Sequence, residues 1–163
     1  MITCTFEDGG KVSLRHATCG ALLLNNYQSE ILLIKRAANV SNCPNKWGLP
    51  GGFVDQGEYL TEAINREVKE ETGYQCTIKQ LFRITDNPNR PQEDRANIDF
   101  IFLGEALQQV AKHDHEISEV KWFPLNQVPS ESEWAFDHYQ NYQLLVKYLE
   151  TPFALPIIGK VDL

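Results

Sequence analysis

Long apolar runs are missing from this 163-residue sequence. No stretch approaches the length a membrane span needs, and the N-terminus has no basic segment followed by an apolar one. Neither a membrane anchor nor a secretory leader is expected, and a cytoplasmic location is the default. Cysteine is scarce. Cys4, Cys19, Cys43 and Cys76 are irregularly spaced with no C-x-x-C pair for zinc or redox work, which leaves core thiols in a reducing compartment. Positive charge is in deficit, with 15 Lys and Arg against 22 Asp and Glu for a net charge of −7. The basic footprint of broad nucleic-acid binding is therefore absent. Phosphates must be recruited by local cations or metal instead of by the overall field. Repeats, low-complexity stretches and linkers are lacking too. What remains, 42% hydrophobic and 23% charged residues, is the balance of one ordinary domain of 1–163 with its own core.

The chain is organised around Gly52 to Tyr74, which reads G-F-V-D-Q-G-E-Y-L-T-E-A-I-N-R-E-V-K-E-E-T-G-Y. Glu67, Glu70 and Glu71 are three and four residues apart, so on a helix they project from one face as neighbours. Like charges at that spacing repel. Arg66 can answer Glu70 at i,i+4, which leaves two carboxylates. A hard divalent cation would turn repulsion into ligation, because Mg²⁺ takes carboxylate oxygens together with water and substrate phosphate. Glu58, at the loop-to-helix junction, can add a fourth carboxylate. Gly51, Gly52 and Gly57 let backbone pass close to a ligand. Leu60, Ala63, Ile64 and Val68 form the opposite, apolar stripe of a helix running from Tyr59 or Leu60 to Thr72. Gly73 supplies its left-handed terminus.

This pattern resembles the signature box of the Nudix hydrolase family, matching every polar and glycine position over 23 residues. Tyr74 is the one departure, at a position that packs and does not ligate. The resemblance implies an α/β/α sandwich with a central mixed β-sheet, and hydrolysis of a nucleoside diphosphate linked to a further group. It implies Mg²⁺ as cofactor, with Mn²⁺ able to substitute, on Glu67, Glu70 and Glu71, and with Gly51 contributing backbone. Arg66 would orient the carboxylates through Glu58 or Glu70. The general base of relatives lies within the box or in a later loop, where Glu116 is the candidate here; the alternative for Glu116 is a surface carboxylate. His113 and His115 are the only close histidine pair nearby. Relatives acting on ADP-ribose often carry a proline about fifteen residues beyond the box's last glycine, and Pro88 stands fifteen after Gly73; loop stiffening explains it as well. A small-molecule nucleotide is the implied partner. Many relatives dimerise, and the N-terminal hairpin is a candidate for swapping or pairing. ADP-ribose or a nucleotide sugar leads as substrate, followed by a damaged nucleoside triphosphate. A ligand-binding module without catalysis is the reading from another class.

The rest of the chain fits around the box. Residues 1–15 read as a hairpin turning at Asp8-Gly9-Gly10. Thr18–Leu24 and Ile31–Ile34 are apolar strands. Lys35 and Arg36 follow the second and can face a phosphate or simply sit at the sheet edge. Residues 37–48 form a loop. Trp47 is placed either at the rim of the site or in the core, and Pro50 with two glycines blocks regular strand continuation. After the box come a strand over 75–85, a surface loop over 86–95 and strands over 97–107 and 117–123. Arg90 and Arg95 of that loop can hold a terminal phosphate or ribose, and with Glu58 complete the candidate substrate contacts. Pro124 to Pro129 reads as a short helical turn, 137–150 as the last helix, and 151–163 as a tail.

Overall fold

The computed structural model describes residues 2–93 and 95–159; Met1, Asp94 and the last four residues of the expected tail lie outside the described residues. Ile2–Thr5 (β1) and Lys11–Leu14 (β2) form the expected antiparallel hairpin, which is a sheet of its own. The main sheet begins with His16–Leu24 (β3) and Glu30–Arg36 (β4). Two short strands follow, Trp47–Gly48 (β5) on β4 and Gly51–Phe53 (β6) on β3, both antiparallel. Then come the box helix Leu60–Thr72 (α1), Tyr74–Thr85 (β7), Asn97–Gln109 (β8), Ile117–Pro124 (β9), His138–Glu150 (α2) and Ile157–Ile158 (β10). Strands β3 and β8 run parallel, while β7 pairs antiparallel with β8 and parallel with β10, so the sheet is mixed.

Period-two alternation along β3 distributes the core. Leu22 and Leu24 pack with Leu145, Tyr142 and Trp134 on the α2 side. Ala21 and Leu23 pack with Ala63, Ile64 and Val68 of α1 on the other. Fully apolar strands without alternation thus mark a sheet covered on both faces. The apolar stripe of α1 docks as its spacing requires. Glu62 accepts the Tyr59 N–H at 2.9 Å at the start of the helix, and Gly73, at φ 74°, ends it with its N–H on the Lys69 carbonyl.

Several local expectations are corrected. Gly51–Phe53 does continue as strand on β3, because Pro50 precedes it and is asked only for its carbonyl, which accepts the Ala21 N–H at 2.9 Å. Lys35 and Arg36 belong to β4 and do not follow it. The short helical turn falls at Glu131–Glu133, not at 124–129: Pro124 still pairs with Glu30 on β4, and Ser130 caps the turn through Glu133. The loop over 86–95 is not merely surface, since Arg90 folds inward.

Candidate active site

Arg66 is the hub of the box. Its Nε and Nη2 donate to the two oxygens of Glu58 at 2.9 and 3.0 Å, its Nη1 to Glu67 at 2.8 Å and to Glu70 at 3.1 Å, and Nη2 also to the Phe53 carbonyl at 3.0 Å. One guanidinium therefore answers three carboxylates, where the spacing had promised one. Its bond to Glu58 holds that carboxyl below the usual range. Burial raises Glu67 despite Arg66. Glu71 stands apart: it is buried and accepts the Gly51 N–H at 2.7 Å. Burial pushes its pKa well up, and the neighbouring Glu67 adds to the shift.

Glu67 and Glu71 both face a cleft of about 750 Å³, whose wall also includes Gly51, Gly52, Arg36, Arg95 and Glu116. Gly52 makes room there, because a Cβ on it would stand 2.5 Å from a Glu67 oxygen. Arg36 gives its Nε to the Asn42 carbonyl at 2.9 Å, which leaves its Nη groups for the cleft. Arg95 lies over the Phe53 ring at 5.2 Å, on the cleft wall. Glu116 is exposed at the mouth with His115, and Asp114 accepts its N–H at 2.9 Å.

Other expected contacts lie elsewhere. Lys35 and Arg36 are adjacent on β4, but the pairing with β9 shifts register between them, and their side chains make different contacts. Lys35 lies over Trp47, 5.5 Å from the ring centroid. Trp47 is not at the rim but in the core on the α2 side, edge-on to Phe123. Glu58 has both oxygens on Arg66 and does not line the cleft. Glu70 is half exposed on Arg66, also outside the cleft. Pro88 is exposed and away from it. Arg90 reaches the wall but cannot serve as a free cation: its Nε donates to Asp137 at 2.7 Å and its Nη2 to Asp99 at 3.0 Å. Among the described residues, no three His, Cys, Asp or Glu side chains are gathered at ligand spacing, since Arg66 holds Glu67 and Glu70.

Of the wall residues that were not anticipated, four matter most. Asp99 is buried and takes the Thr18 hydroxyl at 3.0 Å as well as Arg90; an acid inside the apolar run Ile98–Phe102 was its only trace in the sequence. Asn97 is buried beside it and donates to Glu93 at 3.1 Å. Phe136 lies between Arg36 and Arg90, whose guanidiniums are 5.6 and 4.9 Å from its ring centroid. His138 opens α2 and accepts the Leu49 N–H on Nδ1 at 3.0 Å.

The family model described as NUDIX domain matches residues 14–145. The chain belongs to the Nudix family. Among relatives, this Nudix chain is 37% identical over 111 residues to a protein of Methanocaldococcus jannaschii named ADP-ribose pyrophosphatase, covering 68% of this chain and 62% of that one. It is 30% identical over 161 residues to the human 8-oxo-dGDP phosphatase NUDT18, covering 92% of this chain and 46% of that one. It thus spans about half to three-fifths of the length of these relatives. A crystal structure of a NUDIX hydrolase from Nitrosomonas europaea superposes with a TM-score of 0.72 at 21% identity, covering 97% of this chain and 92% of that one, which supports the Nudix fold.

Proposed function

We propose that the chain hydrolyses the diphosphate bond of a nucleoside diphosphate derivative, ADP-ribose first, with a divalent cation at Glu67 and Glu71. The carrying observation is the pair of desolvated carboxylates on one cleft wall, with Arg36 on the same cleft. The donor set fits Mg²⁺ or Mn²⁺: both groups are hard oxygens, Glu71 carries little compensation beyond one N–H, and the missing side chain at Gly52 lets the Glu67 carboxylate take its place on the cleft wall. Glu70 could join only by leaving Arg66. When bound, the cation supplies Lewis-acid charge stabilisation to the reacting diphosphate.

The chain's own residues do the rest. Arg36 holds a phosphate oxygen with its Nη groups, a bidentate task that suits guanidinium. Arg66 fixes Glu67 so that its carboxylate does not reorganise during turnover. Glu116 accepts a proton from the attacking water, whose oxygen bonds to one phosphorus as the bridging P–O bond breaks towards the other phosphate. ADP-ribose would yield AMP and ribose 5-phosphate. Residues 14–145 carry this chemistry, and the hairpin and the β10 strap belong to the same domain.

The similarity to the protein named ADP-ribose pyrophosphatase supports that substrate. An oxidised deoxynucleoside diphosphate is the second reading, favoured by the longer alignment with the 8-oxo-dGDP phosphatase. A panel of ADP-ribose, UDP-sugars, 8-oxo-dGDP and nucleoside triphosphates, each followed by chromatography of the products, decides between them. Fastest turnover of ADP-ribose is expected; turnover of none of them contradicts the proposal.

A further inference from the structure

His138 has a fixed tautomer. Its Nδ1 accepts the Leu49 backbone N–H at 3.0 Å, so that nitrogen carries no proton and the ring hydrogen must sit on Nε2. The ring is seated directly against Gly48, where a Cβ would come within 2.8 Å of Nδ1; any side chain there would dislodge it. The ring forms part of the cleft wall, and Nε2 bonds to no described residue. Asp137, the nearest carboxylate in sequence, is turned away onto Arg90 at 2.7 Å.

We propose that His138 is a substrate-binding residue, its Nε2–H a neutral donor to a phosphate oxygen of the bound diphosphate. This rests on the reading of the cleft as a diphosphate site and deepens it. The location follows from the backbone. Leu49 anchors His138 and Gly51, just beyond the bend at Pro50, anchors Glu71, so one short stretch of backbone sets both side chains on the cleft wall. Arg36 is close enough to act electrostatically on both Glu71 and His138, so a guanidinium serves the same stretch of cleft. An imidazolium is disfavoured there: burial, Arg90 and Arg36 outweigh Asp137 and bring the pKa down to about 3. A neutral N–H keeps its direction and donates at any pH near neutrality without adding a further charge. Proton transfer to the leaving phosphate is not assigned to it.

The test pairs spectroscopy with kinetics. Long-range ¹⁵N–¹H correlation at neutral pH should show His138 protonated on Nε2 alone. That signal should move on saturation with α,β-methylene-ADP and Mg²⁺. His138→Asn keeps an acceptor near the place of Nδ1 for Leu49, but its NH2 is too short to place a donor where Nε2–H stands. Its KM for the substrate found with the panel should rise roughly 10-fold or more, with kcat changed far less. His138→Gln, whose amide reaches further, should recover part of the loss. An Nδ1–H tautomer, an imidazolium at pH 7, or an unchanged KM in His138→Asn would overturn the proposal. A wild type that binds no diphosphate fails earlier and visibly, in its own titration, and removes the diphosphate reading with it.

Discussion

Glu71 keeps 6% of its surface exposed and accepts one backbone N–H. Without a cation, ionising it means holding negative charge in a desolvated place beside Glu67, so the folded carboxyl titrates well above its usual range. Glutamine there keeps an acceptor for Gly51, matches the shape, and removes the charge. Glu71→Gln is therefore expected to melt at or above the wild-type temperature in chelator. Mg²⁺ should raise the wild type's melting temperature and the variant's less. A clearly lower melt in chelator would make Glu71 a structural residue. His138 has the opposite sign of pH linkage. Its folded pKa is depressed to about 3 from 6.5, so below pH 6.5 the unfolded chain takes a proton that the folded one refuses. Its contribution is complete above 6.5 and drains as the pH falls towards 3, by at most about 1.4 kcal/mol per pH unit. Urea unfolding between pH 7 and pH 5 should show a drop in the wild type that His138→Asn lacks, the other titrating groups cancelling in the difference.

Elements meet at two arginines. Arg66 ties α1 to the preceding loop through Glu58 and the Phe53 carbonyl while restraining Glu67 and Glu70. Lysine keeps the charge but not the planar fork, so Arg66→Lys should lose at least tenfold in rate while its circular dichroism stays native. Near-native turnover would contradict the positioning role. Arg90 joins the 86–95 loop to β8 through Asp99 and to the start of α2 through Asp137, all three groups being largely buried. Arg90→Met should cost about 3–5 kcal/mol in urea unfolding, because two carboxylates lose their cation. The box helix and its glycine terminus were legible because their signals are local: spacing, stripe and left-handed residue lie within one segment. Arg36 and Lys35 could not be told apart in the sequence, because the register shift between them is set by pairing with the distant β9. Trp47 and Arg90 were misplaced for a related reason. An aromatic before a glycine run reads the same facing rim or core, and a charged loop gives no sign that distant Asp99 and Asp137 will draw one of its arginines inward. His138 was invisible as a wall residue, since Leu49 and Gly48, which orient it, are about ninety residues away in the chain.

At the scale of the whole molecule, the acidic net charge of −7 and an anionic substrate are reconciled by where the charge sits. The sheet holds α1 on one face and α2 on the other, and the cleft gathers Glu67, Glu71 and Arg36 from α1 and β4 with His138 from the start of α2. Among the described residues no helix is long and apolar enough to cross a membrane. The central claim is that the Glu67–Glu71 wall is a divalent-cation site for diphosphate hydrolysis. The most direct measurement is AMP release from ADP-ribose, for wild type and Glu71→Gln side by side, in Mg²⁺ and again in excess chelator. The expected result is turnover only by the wild type in Mg²⁺, with the variant at least a hundredfold slower though folded. Undiminished AMP release in chelator, or by Glu71→Gln, would contradict the claim.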